Sequence, residues 1–196
     1  MGVHSLTIHA FAVFLGLVAA SRAEQPDTYS RVAPLTREAL IDDALSAAPR
    51  KIARGAAVRN WDGTRLRQGY EDYICFPTPT EKRERGEHAP MCLDKVWLAW
   101  KEAWMRNEPF KAERVGIAYM LSAEATGGSI DPDAMKPASG DELFAEGPQI
   151  LLLMPNPAQL NAFSTHPRNG TGSFVRWKDT PYAHLVISVE RSTLGR

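Results

Sequence analysis

An unbroken apolar run over residues 10–20 (AFAVFLGLVAA) follows a short polar start and precedes Ser21-Arg22-Ala23, after which the chain turns polar at Glu24. No polar face alternates with the apolar one, which argues against a buried amphipathic helix, and the run falls short of the roughly 20 apolar residues that a bilayer requires. An apolar core of this length before small residues is the pattern of a secretory leader. Cleavage is expected after Ala23, with Ala20 as the alternative, although no Lys or Arg precedes the run. No cysteine follows it, which argues against a lipoprotein anchor. Residues 24–35, polar and Pro-containing, read as a loose arm.

Beyond the arm the pattern alternates between helical and strand periods. Thr36 is a candidate N-cap for a helix over 36–48, with Leu40, Ile41, Ala44, Leu45 and Ala48 on its apolar face and Pro49 as its stop. Two strand-like runs, 56–61 and 64–67, flank Asp62-Gly63, a pair suited to a hairpin turn because both positions tolerate positive φ. A third run covers 72–76, and 78–90 (TPTEKRERGEHAP) reads as a solvated loop of mixed charge. The strongest helix spans 93–106, where Leu93, Trp97, Trp100 and Trp104 recur on one face.

Strands are expected at 114–121 and 149–154, separated by a Gly-, Pro- and Asp-rich loop over 122–148 that is long for a compact domain. Asn156 should cap a short helix from Pro157, followed by a loop over 164–172 and strands at 174–177 and 184–189. The order predicts one α+β domain over 36–190, a mainly antiparallel sheet packed by the Trp-rich helix, with 191–196 as a tail.

Composition narrows the function classes. Removal of residues 1–23 from the 196 leaves 173, enough for one ordinary core. Lys plus Arg and Asp plus Glu number 23 each, and Arg22 is the single charged residue in the leader, so the mature chain is near neutral. That balance lacks the basic surface a nucleic-acid or anionic-membrane partner would need. No apolar stretch of membrane-spanning length occurs beyond the leader. Cys75 and Cys92 are the whole cysteine complement. In an oxidising compartment an isolated pair reads as a disulfide, and the spacing fits neither a redox C-x-x-C nor a metal site. It should pin the start of the Trp helix to the end of a strand.

The candidate chemistry is sparse. The chain contains no H-E-x-x-H, G-x-S-x-G, P-loop or dinucleotide fingerprint, and no cofactor is implied. A metal site from His88, His166 and His184 would require three distant loops to converge. Asn169-Gly170-Thr171 matches a glycosylation sequon. The Trp stripe suits core packing, with some indole N–H groups reaching polar partners at its edge. The densest polar-aromatic cluster is Trp177, Lys178, Asp179, Tyr182 and His184 around Pro181, where a strand begins. His184 there is a candidate general base, for which Asp179, Tyr182, Asp94 and Glu124 are possible partners.

Pro90-Met91-Cys92-Leu93-Asp94, the VGIAYML run at 115–121, and the Trp177-Lys178…Thr180-Pro181-Tyr182-Ala183-His184 run together resemble a family of uncharacterised exported bacterial proteins over roughly 39–189. The resemblance implies a periplasmic or secreted setting and transfers no catalytic residue. The expectation is therefore an exported, non-catalytic domain that binds a small molecule or a protein, with Trp177 to His184 as its surface. The alternative is a hydrolase-like enzyme using His184 as base. A second titratable group within hydrogen-bond reach of His184, in a concave pocket, would separate the two.

Overall fold

The computed structural model describes residues 35–128, 144–167 and 172–189. The leader, residues 24–34 of the arm, the centre of the 122–148 loop, the sequon at Asn169 and the tail lie outside the described residues. The described residues belong to one compact unit, Arg31–Arg196.

Thr36 caps the first helix as its position predicts, its hydroxyl accepting from the Ala39 N–H at 3.1 Å. This helix, α1 (Arg37–Ser46), ends short of Ala48, and Pro49 opens a further short helix, α2 (Arg50–Ala53), rather than only stopping the first. The Asp-Gly hairpin forms between β1 (Ala56–Arg59) and β2 (Arg65–Arg67). Of the two turn residues only Gly63 takes positive φ, at 88°. The Asp62 carboxylate instead accepts from the Thr64 N–H at 2.8 Å. The chain then crosses the start of β1 through Gly69, so that β3 (Tyr70–Phe76) runs parallel to β1 on its other side.

The Trp helix begins later than its expected start. Residues 91–94 form a strand, β4 (Met91–Asp94), between β3 and β5 (Gly116–Met120), and the helix α4 begins only at Lys95 (Lys95–Met105). Leu93 matched the helical period by spacing alone; it points into the core from the strand. Asp94 sets the boundary, with Oδ1 accepting from the Val96 and Trp97 N–H groups at 2.9 Å each and Oδ2 from the Ile117 N–H at 2.7 Å. The Cys75–Cys92 disulfide therefore ties two neighbouring strands at directly paired positions, not a helix to a strand. Closing a loop of this size stabilises by about 3 kcal/mol in the chain-entropy model.

Two segments expected as loops hold structure. Within 78–90 lies a short helix, α3 (Thr80–Glu84), and Glu87 is buried at 8% exposure, paired to Lys82 at 3.4 Å and Arg85 at 2.8 Å. Within 122–148, β6 (Ala125–Gly128) and β7 (Phe144–Glu146) pair as a separate two-stranded sheet. The main sheet is completed by β8 (Gln149–Leu153), β9 (Ser173–Arg176) and β10 (His184–Ser188), in the order β2-β1-β3-β4-β5-β8-β10-β9. Its pairings are antiparallel except β1 with β3. The expected helix after Asn156 is a 3₁₀ turn, Pro157–Ala162.

The sheet is covered on both faces. Helix α4 lies over one, where Trp97 and Trp100 pack with Ile74, Leu93, Leu151 and Val186. On the other face α1 covers the β1–β4 end, including both cysteines, and the 3₁₀ turn covers β9 and β10 through Leu160. The α+β architecture with one disulfide and a Trp-rich helix on a mostly antiparallel sheet is the expected one.

Candidate functional site

The turn from β9 to β10 carries Trp177, Lys178, Asp179 and Tyr182 of the polar-aromatic cluster, and His184 opens β10 behind it. It is tightly wound: the Thr180 hydroxyl donates to the Trp177 carbonyl at 2.7 Å and accepts from the Tyr182 N–H at 3.1 Å. Trp177 and Asp179 sit at φ 55° and 64°, a left-handed conformation rare for residues with side chains and sustained only where surrounding structure enforces it. The result is that Trp177 lies flat against Trp100, centroids 5.6 Å apart and planes 9° from parallel, with Trp104 stacked beside both. Tyr182 is buried and its hydroxyl donates to the Glu108 carbonyl at 3.0 Å. Lys178 and Asp179 are exposed.

His184 lies deeper than a strand-mouth position suggests, at 2% exposure. It points to the α4 side of the sheet, its ring edge-on to Trp97, Trp100 and Trp177 at 5.2, 5.7 and 5.3 Å. Nδ1–H donates to the Tyr182 carbonyl at 3.0 Å, which places a ring proton on Nδ1. Burial, then the positive charge of Arg176, drives its pKa down from 6.5 to about 3. None of its proposed partners bonds to it: Asp94 caps α4, Glu124 pairs by its backbone with His88, Tyr182 reaches Glu108, and Asp179 is exposed.

The neutral burial has a consequence for acid stability. The unfolded imidazole takes up a proton as pH falls through about 6.5, whereas the native one does not until about pH 3. The contribution of His184 to stability is therefore full above pH 6.5 and falls by about 1.4 kcal/mol per pH unit below it, or about 2 kcal/mol by pH 5. Chemical denaturation at neutral pH and at pH 5 should show this slope in wild type and lose that part of it in His184→Gln. An identical slope in both proteins would mean that His184 is not held neutral.

The indole nitrogens behave differently from expectation. Trp61 donates to the Pro77 carbonyl at 2.6 Å, but among the described residues Nε1 of Trp97, Trp100 and Trp177 is buried without a hydrogen-bond partner. The stripe is packed for its area and stacking more than for its polar edges.

A second histidine, His88, weighed in the sequence only as one of three distant candidate metal ligands, is tightly engaged. His88 Nε2 contacts the Asp43 carboxylate on α1, and Nδ1 contacts the Ser122 carbonyl at 2.6 Å. Asp43 also accepts from the Thr78 N–H at 2.6 Å. Both ring nitrogens face oxygen acceptors, so the group clamps the 78–90 excursion to α1.

The concave surface lies next to α4. A cleft of about 490 Å³ opens between Lys95, Val96 and Ala99 on the helix and Phe110, Lys111, Glu113 and Arg114 on the segment leading to β5. Asn107, at φ 54°, ends the helix, and the buried Ala112 anchors the segment. A smaller cleft of about 70 Å³ shares Phe110 and Lys111 and reaches Thr180, Pro181 and Ala183. The turn thus borders the concave surface through these three, while Trp177, Tyr182 and His184 pack beneath. Only the apolar Phe110 among the charges of 108–114 hints at this cleft in the sequence. Among the described residues, no cluster of His, Cys, Asp or Glu is placed to hold a metal, and no helix is long and apolar enough to cross a membrane. Comparison with protein-family models, curated proteins and solved structures gave no match to this chain.

Proposed function

We propose that this chain is an exported bacterial binding module without catalytic activity, holding a small molecule in the cleft between α4 and residues 110–114. The observation that carries the reading is the cleft itself. Its volume of about 490 Å³ falls within the span of small-molecule sites, and it sets an apolar floor of Val96, Ala99 and Phe110 against a charged rim. Concavity favours a small molecule over a flat protein partner. The strained turn at Trp177 and Asp179 supports the same end of the molecule, since backbone strain of this kind concentrates at ligand sites. Export is supported by the leader-like N-terminus and by a disulfide, which persists in oxidising compartments. The family resemblance points to the same setting. Hydrolysis ranks behind binding because a general base must reach its substrate, and His184 is sealed under three indoles.

An uncharged fluorescent probe, N-phenyl-1-naphthylamine, tests the cleft. Wild type should bind it at one site with enhanced fluorescence. Ala99→Trp places an indole in the cleft at an exposed helix position and should abolish that signal without lowering the melting temperature. Equal binding by both proteins would remove the cleft as the site.

A further inference from the structure

We propose that the ligand of this cleft is a small organic anion with an apolar body, an inference that rests on reading the cleft as the ligand site. Three cations, Lys95, Lys111 and Arg114, line it against one carboxylate, Glu113. Lys95 is already paired to Asp72 at 3.2 Å. Lys111 and Arg114 form no ion pair with any described residue. Glu113 is likewise without an ion pair, so Lys111 and Arg114 outnumber it two to one beside Phe110, which leaves a net positive rim over an apolar floor.

The chemistry of that rim selects its occupant. A guanidinium presents a planar fork that matches a carboxylate or phosphate head, and an ammonium adds a mobile point charge. The pairing is stronger beside an apolar wall than in open water, because the local dielectric is lower. An anionic head at Lys111 and Arg114 leaves the rest of the ligand over Val96, Ala99 and Phe110, where only apolar area is offered. A cationic head would meet the same two charges as repulsion. A neutral ligand would keep the floor and forgo the rim.

Calorimetric titration of the full mature protein with four probes that share a ten-carbon chain tests this: decanoate, decyl phosphate, 1-decanol and decyltrimethylammonium. One or both anions should bind roughly tenfold or more tightly than decanol, about 1.4 kcal/mol, and the cation more weakly still. Decanoate against decyl phosphate identifies the preferred head. The double variant Lys111→Gln/Arg114→Gln should bring the anions to the decanol level, and added salt should weaken anion but not decanol binding. Both positions are exposed, so folding should be retained, which circular dichroism will verify. Equal binding of decanol and the anions, or unchanged anion binding in the double variant, overturns the anion assignment. So does absence of anion binding. N-phenyl-1-naphthylamine binding in the same preparation separates the two failures: if it persists, the cleft remains the ligand site and only its ligand class is wrong.

Discussion

Replacing Trp100 by Ala should lower the unfolding free energy by about 3–5 kcal/mol, the range for removing a large aromatic from a core. Trp100 is 8% exposed and stands at the centre of the aromatic cluster. It is 4.9 Å from Trp97, stacked on Trp104 and Trp177, and edge-on to Tyr182 and His184. Deleting it removes the support of the strained Trp177 and opens a path for water to His184. The same stripe on the surface would act as a platform, and the substitution would then cost less than about 1 kcal/mol. Urea unfolding followed by far-ultraviolet circular dichroism distinguishes the two, since tryptophan fluorescence would itself change. A loss below that bound would mean the helix face is not core.

Gly69→Ala should be at least as damaging, for a backbone reason. Between β2 and β3 the chain crosses the start of β1, and a Cβ at Gly69 would lie 2.4 Å from the carbonyl carbon and oxygen of Ala56 and 2.5 Å from the Ala57 nitrogen. All three are main-chain atoms of a strand paired on both sides, so no side chain can swing away to make room. The methyl group must push β3 off β1. A cost above about 3 kcal/mol, the upper end of ordinary overpacking, is expected. Its signature should include loss of the pairing that places Tyr70 opposite Ala56. Amide exchange in β1 and β3 would report that directly. Near-wild-type stability would show that the crossover relaxes in a way the geometry does not suggest.

Much of the local structure is legible residue by residue. Thr36 caps, Asp62-Gly63 turns, Asn156 opens a helical turn, and the tryptophan spacing of three and four marks a buried helix face. Each signal acts within a few residues, where backbone preference and side-chain period suffice. The candidate site is less so. Trp177, Lys178, Asp179, Tyr182 and His184 cluster in sequence, yet the turn sends the aromatic rings and the imidazole inward and leaves Lys178 and Asp179 outside.

By itself the sequence determined the α+β class, most helix and strand locations, and the pairing of its two cysteines, because these follow from local propensity, hydrophobic period and cysteine count. The tertiary structure alone decided that residues 91–94 form a strand, because β4 gains its hydrogen bonds from β3 and β5 on either side rather than from its own neighbours. It decided that β1 and β3 run parallel, since that depends on a crossing backbone and on the one residue without a Cβ that fits there. It also made Glu87 and His88 parts of the packed structure instead of a solvated loop, through partners on other elements and in their own excursion. Burial under three indoles from two separate elements, not the composition of the turn, holds His184 neutral. The cleft arises the same way, from a helix and a connecting segment brought side by side, a proximity that no local pattern encodes.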